Sequence, residues 1–148
     1  MAEAANRHFF LAGDCDITTS DAAITGRRAM EMAGVGHADI DVAQIYDAFT
    51  IMVIISLEDL GFCRRGEGGA FVSGGRIAPG GDFPLNTSGG GLSYCHPGMF
   101  GVFLVIEAVR QLRGECGRRQ VDGARTALCH ATGLAFGTHA TLVLAGET

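Results

Sequence analysis

The sequence has no CxxC pair, no long apolar run and no surplus of positive charge. Its five cysteines are odd in number and irregularly spaced, which fits a reducing compartment better than a disulfide framework. No apolar run is longer than Ile51 to Ile55, far too short to span a bilayer. No basic stretch followed by an apolar one opens the chain, so the expectation is a cytoplasmic protein without a signal peptide or membrane span. A net charge of −5 leaves no basic face for phosphates and argues against a general nucleic-acid binder. Charged residues make up only 18% against 47% hydrophobic, a balance unlike that of disordered chains. What the chain does have is glycine: 23 of 148 residues, about twice the usual share of roughly 7%. The glycines cluster in loops, and 148 residues suit one domain with a real core.

Helical and extended patterns alternate along the chain. "HFFLAG" reads as a short strand in an N-terminal extension over residues 1–17, and the domain proper is expected over 18–148. In "TTSDAAITGRRAMEMAG", Thr18 and Asp21 have capping-box spacing and Gly34 sits where a left-handed C-cap belongs. Ala22, Gly26, Ala29, Met30 and Ala33 share one face of that helix, small enough to lie close to whatever covers it. A short strand over Val42 to Tyr46 leads to a helix over Ala48 to Leu60, with Asp47 as its expected cap. That helix is apolar on most sides and is expected between layers or at an interface. Residues 64–81 read as glycine-rich surface loops with a short helical turn at most.

"FPLN" is a candidate strand. After Gly98 an amphipathic helix runs to Gly114, with Val102, Val105, Ile106, Val109 and Leu112 on one face. A strand ending near Cys129 and a last strand in "HATLVLAG" complete the pattern. The order helix, strand, helix, strand, helix, strand, strand implies an α/β fold, a sheet covered by helices with its last two strands antiparallel.

Three polar clusters follow expected strands: Tyr46-Asp47, Ser93-Tyr94-Cys95-His96 and Cys129-His130. Sites in open α/β sheets lie beyond the carboxyl ends of the strands, so the clusters are expected to converge on one crevice. A histidine titrates near neutrality and can pass a proton or donate to a developing oxyanion, which singles out His96 in its glycine-rich loop. A histidine that merely caps the next helix is the structural alternative. Tyr46 and Tyr94 are the only tyrosines. A phenol serves as a hydrogen-bond donor, or as a base only when strongly perturbed, and a buried tyrosine with a satisfied hydroxyl is equally common.

Cys95 and Cys129 each precede a histidine, and a thiolate beside His⁺ is an activated nucleophile. Adjacency in sequence does not join the side chains, however, and cysteines are frequent core residues. The two Cys-His pairs make four zinc ligands only if they meet in space, and the usual ligand spacing is absent. "NTSGGG" lacks both the lysine of a P-loop and the GxGxxG spacing of a dinucleotide fold.

Taken together, "DIDVAQIYDAFT", "NTSGGGLSYCHPGMFG" and "ALCHATG" resemble the C-terminal half of the thiolase superfamily, closest to its sterol-carrier-type and lipid-transfer-like branches. The resemblance implies a mixed five-stranded sheet with helices on both faces, packed against a similar N-terminal half. It implies that His96 activates a nucleophile, that Cys129 shuttles a substrate proton, and that Asn86 helps hold a water near the oxyanion site. Gly89 and Gly90 belong to the same motif and are carried over as substrate-binding positions. The sequence departs from thiolases at Cys95, where they have glycine, and at Ala131, in place of the glycine of Cys-x-Gly. Tyr46-Asp47-x-Phe49 with Ser93-Tyr94-x-His96-Pro97-Gly98 looks more like the lipid-transfer-like proteins, some of which are aldolases that shorten steroid side chains held as coenzyme A thioesters. There Tyr46 and Tyr94 match the acid/base pair, and an OB-fold protein with a zinc ribbon is the working partner.

The resemblance therefore implies part of an acyl-CoA acyltransferase or retro-aldolase in lipid or steroid side-chain metabolism. A coenzyme A thioester is its substrate, no cofactor or metal is permanently bound, and an N-terminal half or an oligomer covers its apolar face. The alternative is a non-catalytic acyl-CoA- or lipid-binding subunit or scaffold.

Overall fold

The computed structural model describes residues 1–5, 16–133 and 136–146. The strand expected in "HFFLAG" lies outside the described residues. Elements follow in the order β1 (Ala2–Ala4), α1 (Ala22–Ala33), β2 (Val42–Ile45), α2 (Thr50–Asp59), α3 (Gly68–Phe71), α4 (Gly90–Ser93), α5 (Phe100–Leu112), β3 (Thr126–Gly133) and β4 (Thr138–Ala145). Among the described residues the sheet has four strands in the order β1-β4-β3-β2. β2 and β3 are parallel, and β3 with β4 and β4 with β1 are antiparallel. "FPLN" contributes one parallel bridge, Leu85 to Ala43, rather than a full fifth strand. No helix among the described residues is long and apolar enough to cross a membrane.

Because strand side chains alternate, each face of the sheet builds its own core. Ala43, Ile45, Leu128 and Val143 face α1 and α2, together with Met30, Leu57 and Leu60. Val42, Ala127, Cys129, Leu142 and Leu144 face α5 and meet Val105, Ala108 and Leu112. The sheet is thus covered on both sides. On the first face Gly26 lets α1 meet α2, since a Cβ there would sit 2.6 Å from Leu60 Cδ2.

Two expected caps form differently. Gly34 closes α1 in the left-handed region, but no capping box opens it: Asp59 of α2 instead accepts the Ser20 amide at 2.6 Å and hydroxyl at 2.9 Å. Asp47 does not cap α2, whose chain stays extended through Phe49, two residues further on.

The face expected of α5 is also turned. Phe100, Leu104, Glu107, Ala108 and Gln111 are buried, while Val102 and Ile106 are exposed. The helical period holds, but the buried face is rotated because a carboxylate and an amide lie on its inner side. Glu107 accepts from Thr87 at 2.8 Å and from Arg119 at 2.9 and 3.0 Å. Gln111 donates to Thr87 and to the Arg119 carbonyl. Burial alone raises the Glu107 pKa, but the bonds from Arg119 and Thr87 outweigh it and hold the carboxyl below its ordinary value.

Candidate active site

A largely apolar cleft of about 1600 Å³ opens where β2 and β3 end. Tyr46 and Asp47 follow β2 directly, and Gly91, Leu92, Tyr94, Cys95 and His96, from α4 and the turn after it, line the cleft with them. The far wall is Ala131, Thr132 and Gly133 of β3 with Thr138 and His139 of β4.

The structure brings Tyr46 and His96 together. The Tyr46 hydroxyl and His96 Nδ1 are 2.8 Å apart, and the Tyr46 ring rests on Phe100 with centroids 5.6 Å apart. Burial, and then the charge of Asp47, raise the Tyr46 pKa above its ordinary value, so this group is a phenol at neutral pH. Tyr94 lines the same cleft but is 68% exposed. Cys95, also exposed, stands between them.

The third cluster does not reach the cleft. β3 runs on to Gly133 rather than ending near Cys129, so Cys129 and His130 lie in mid-strand and point to opposite faces. Cys129 is buried beneath α5, its Sγ 3.6 Å from the Leu104 carbonyl, and burial pushes its thiol up to about 12. His130 turns to the other face, bonded to Thr141 at 2.9 Å and stacked on His139. That divergence keeps the two Cys-His pairs from forming one metal site, and no cluster of three or more potential ligands occurs among the described residues.

The glycines and Asn86 frame the loop. Asn86 accepts from the Ile45 amide at 2.8 Å and donates to the Ile45 carbonyl at 2.9 Å, acting as a strand neighbour for β2. One N–H and one lone pair of its amide are thereby engaged by the backbone. Gly90 has φ +68° and faces the Asp47 carboxylate so closely that a Cβ would collide with it. Neither Gly89 nor Gly90 lines the cleft; Gly91 does. Sequence reasoning put Asp47 at the right strand end but gave its carboxylate to α2 rather than to Gly91 and Leu92, and it missed Glu107 and Gln111. A charged residue directly after a wholly buried strand, and a Glu–Gln pair at i, i+4 inside an apolar helix, were the available signals.

A mixed sheet covered by helices on both faces, with its polar residues gathered at the ends of the parallel strands, defines an α/β protein with a sheet-end site. The particular family is shown by comparison: residues 4–146 match the model described as "Thiolase C-terminal domain-like", and the chain belongs to that family. It is 43% identical over 127 residues to an acetyl-CoA acetyltransferase of Methanothermobacter thermautotrophicus, covering 84% of this chain and 33% of that protein. It is 45% identical over 93 residues to a 17-hydroxy-3-oxo-4-pregnene-20-carboxyl-CoA lyase of Mycobacterium tuberculosis, covering 62% of this chain and 23% of that protein. Among solved structures it is similar to an "Ltp2-ChsH2(DUF35) aldolase", with a TM-score of 0.79 and 29% identity over 99% of this chain and 39% of the other. The chain thus spans about a third of the acetyltransferase.

Proposed function

We propose that this chain is the C-terminal, acid–base half of a thiolase-like enzyme that cleaves a carbon–carbon bond in a β-hydroxyacyl-CoA thioester by a retro-aldol reaction. The observation that carries this reading is the 2.8 Å contact between the Tyr46 hydroxyl and His96 Nδ1 at the cleft. The bond can run from the phenol to Nδ1 or from an Nδ1–H to the phenol oxygen, according to the imidazole tautomer. With the proton on His96 Nδ1, Nε2 offers a lone pair to the substrate hydroxyl and the Tyr46 O–H turns to a developing enolate oxygen. The hydroxyl proton passes to His96 Nε2, the Cα–Cβ bond breaks toward the thioester carbonyl, and the His96 Nε2–H returns a proton to Cα of the enolate. The products are an aldehyde or ketone and a shortened acyl-CoA. Tyr94, on the rim, is assigned as a second donor.

A Claisen thiolase would instead need Cys129 as its proton carrier, and a thiol buried outside the cleft with a pKa of about 12 is poorly suited to that work. The partner reading rests on Phe49, Ile51, Leu92, Met99 and Val102, which line the cleft and are all exposed. We assign this face to the N-terminal thiolase half. A further partner of the kind joined to the aldolase chain is consistent with the same opening.

The test is turnover of β-hydroxyacyl-CoA thioesters by this chain assembled with its N-terminal half. Tyr46→Phe and His96→Gln should each lose about 100-fold or more, with Cys129→Ala close to the parent. Loss in Cys129→Ala and His96→Gln with Tyr46→Phe close to the parent would instead assign the thiolase reaction. Binding of acyl-CoA with no turnover in any assembly would leave the non-catalytic subunit.

A further inference from the structure

We propose that Asp47 is a positioning residue that holds His96 against Tyr46 by clamping the start of the segment whose end carries the imidazole. Tyr46 and Asp47 are consecutive, yet they grip opposite ends of Gly91–His96. Asp47 is 3% exposed, and its carboxylate accepts from the Gly91 amide at 2.7 Å and the Leu92 amide at 3.2 Å. The Tyr46 hydroxyl meets His96 four residues beyond Leu92. Two adjacent residues at the end of one buried strand therefore set where the loop begins and where it stops. Gly90 completes the clamp, because only a residue without a Cβ leaves room for the carboxylate. Charge-assisted bonds to a buried carboxylate are stronger than the neutral contacts elsewhere in this loop.

The same carboxylate acts on the phenol. Burial first, and then the Asp47 charge, raise the Tyr46 pKa and keep the phenol protonated. The other ionisable groups around the phenol are His96, bonded to it from the loop, and Tyr94, Cys95, His139 and Glu3 on the cleft walls. Phe100 of α5 covers the remaining side.

The proposal rests on reading Tyr46 and His96 as a working pair, but its test needs no turnover, so failure of either idea shows separately. The chain has no tryptophan and two tyrosines, so tyrosinate absorbance in a Tyr94→Phe background reports Tyr46 alone. Asp47→Asn keeps one acceptor and removes the charge. It should speed Gly91 and Leu92 amide exchange about tenfold or more, shift the His96 ring nitrogens in NMR, and lower the Tyr46 titration midpoint. Gly90→Ala should displace the clamp while keeping the charge, so the amide and His96 signals change and the midpoint falls less than in Asp47→Asn. A merely structural cap would disturb the amides and leave the His96 signals where they were. That result overturns the proposal, as does unprotected Gly91 and Leu92 exchange in the parent chain.

Discussion

Lowering the pH from 7 to 5 loads a proton onto histidine in the unfolded chain but not onto His130 in the fold. The ring is 1% exposed, and burial, then neighbouring His139, pull its pKa from 6.5 down to about 3. Its hydrogen bonds run in one direction. The Phe136 carbonyl can only accept, so His139 Nε2 carries a proton toward it across 3.1 Å. His139 Nδ1 is then a lone pair facing the Nε2–H of His130 at a long 3.5 Å. His130 Nδ1 accepts from Thr141 at 2.9 Å, and Thr141 accepts from Thr25 of α1 at 2.8 Å. A proton added to His139 Nδ1 would confront the His130 N–H, and one added to His130 Nδ1 would reverse the threonine bonds.

Below pH 6.5 the unfolded chain therefore binds more protons than the fold. This contribution to stability is fully present above 6.5 and is lost progressively as pH falls toward about 3. At about 1.36 kcal/mol per pKa unit, the step from pH 7 to pH 5 removes about 2 kcal/mol through this ring. Urea unfolding at both pH values measures the loss, with His130→Asn as the comparison. The variant should lose about 2 kcal/mol less than the parent over the same step. Equal losses in the two proteins, or a His130 ring that titrates near pH 6 in the folded state, would refute the reasoning.

Two further outcomes follow from burial. Glu107→Ala leaves Arg119 and Thr87 without their buried partner and should cost about 3 kcal/mol in chemical denaturation; an unchanged midpoint would mean the network is idle. Under native alkylation Cys95 should label well before Cys129, because one thiol is exposed and the other is buried with a pKa of about 12. Mass-spectrometric mapping of the labelled peptides reads the order directly, and simultaneous labelling would contradict the placement of Cys129.

Much of this protein was legible from local pattern. Gly34 announced a helix end because only a left-handed residue closes that turn, and the structure finds it at φ +69°. The alternation of helical and extended segments led to a helix-covered sheet, and "YD" and "SYCHPG" were correctly placed at one end of it. These features depend on interactions within a few residues, so a linear reading reaches them. What tertiary structure decided was which way side chains point once elements meet. Cys129 and His130 looked like one cluster, but β3 continues past them and alternation sends them to opposite faces. Asp47 looked like the cap of the helix beside it, yet its carboxylate bonds amides more than forty residues away. The buried phase of α5 depended on Thr87 and Arg119, brought to Glu107 from other loops. The resemblance nominated both Tyr94 and Tyr46; only the folded chain chose Tyr46 as the one within hydrogen-bonding reach of His96.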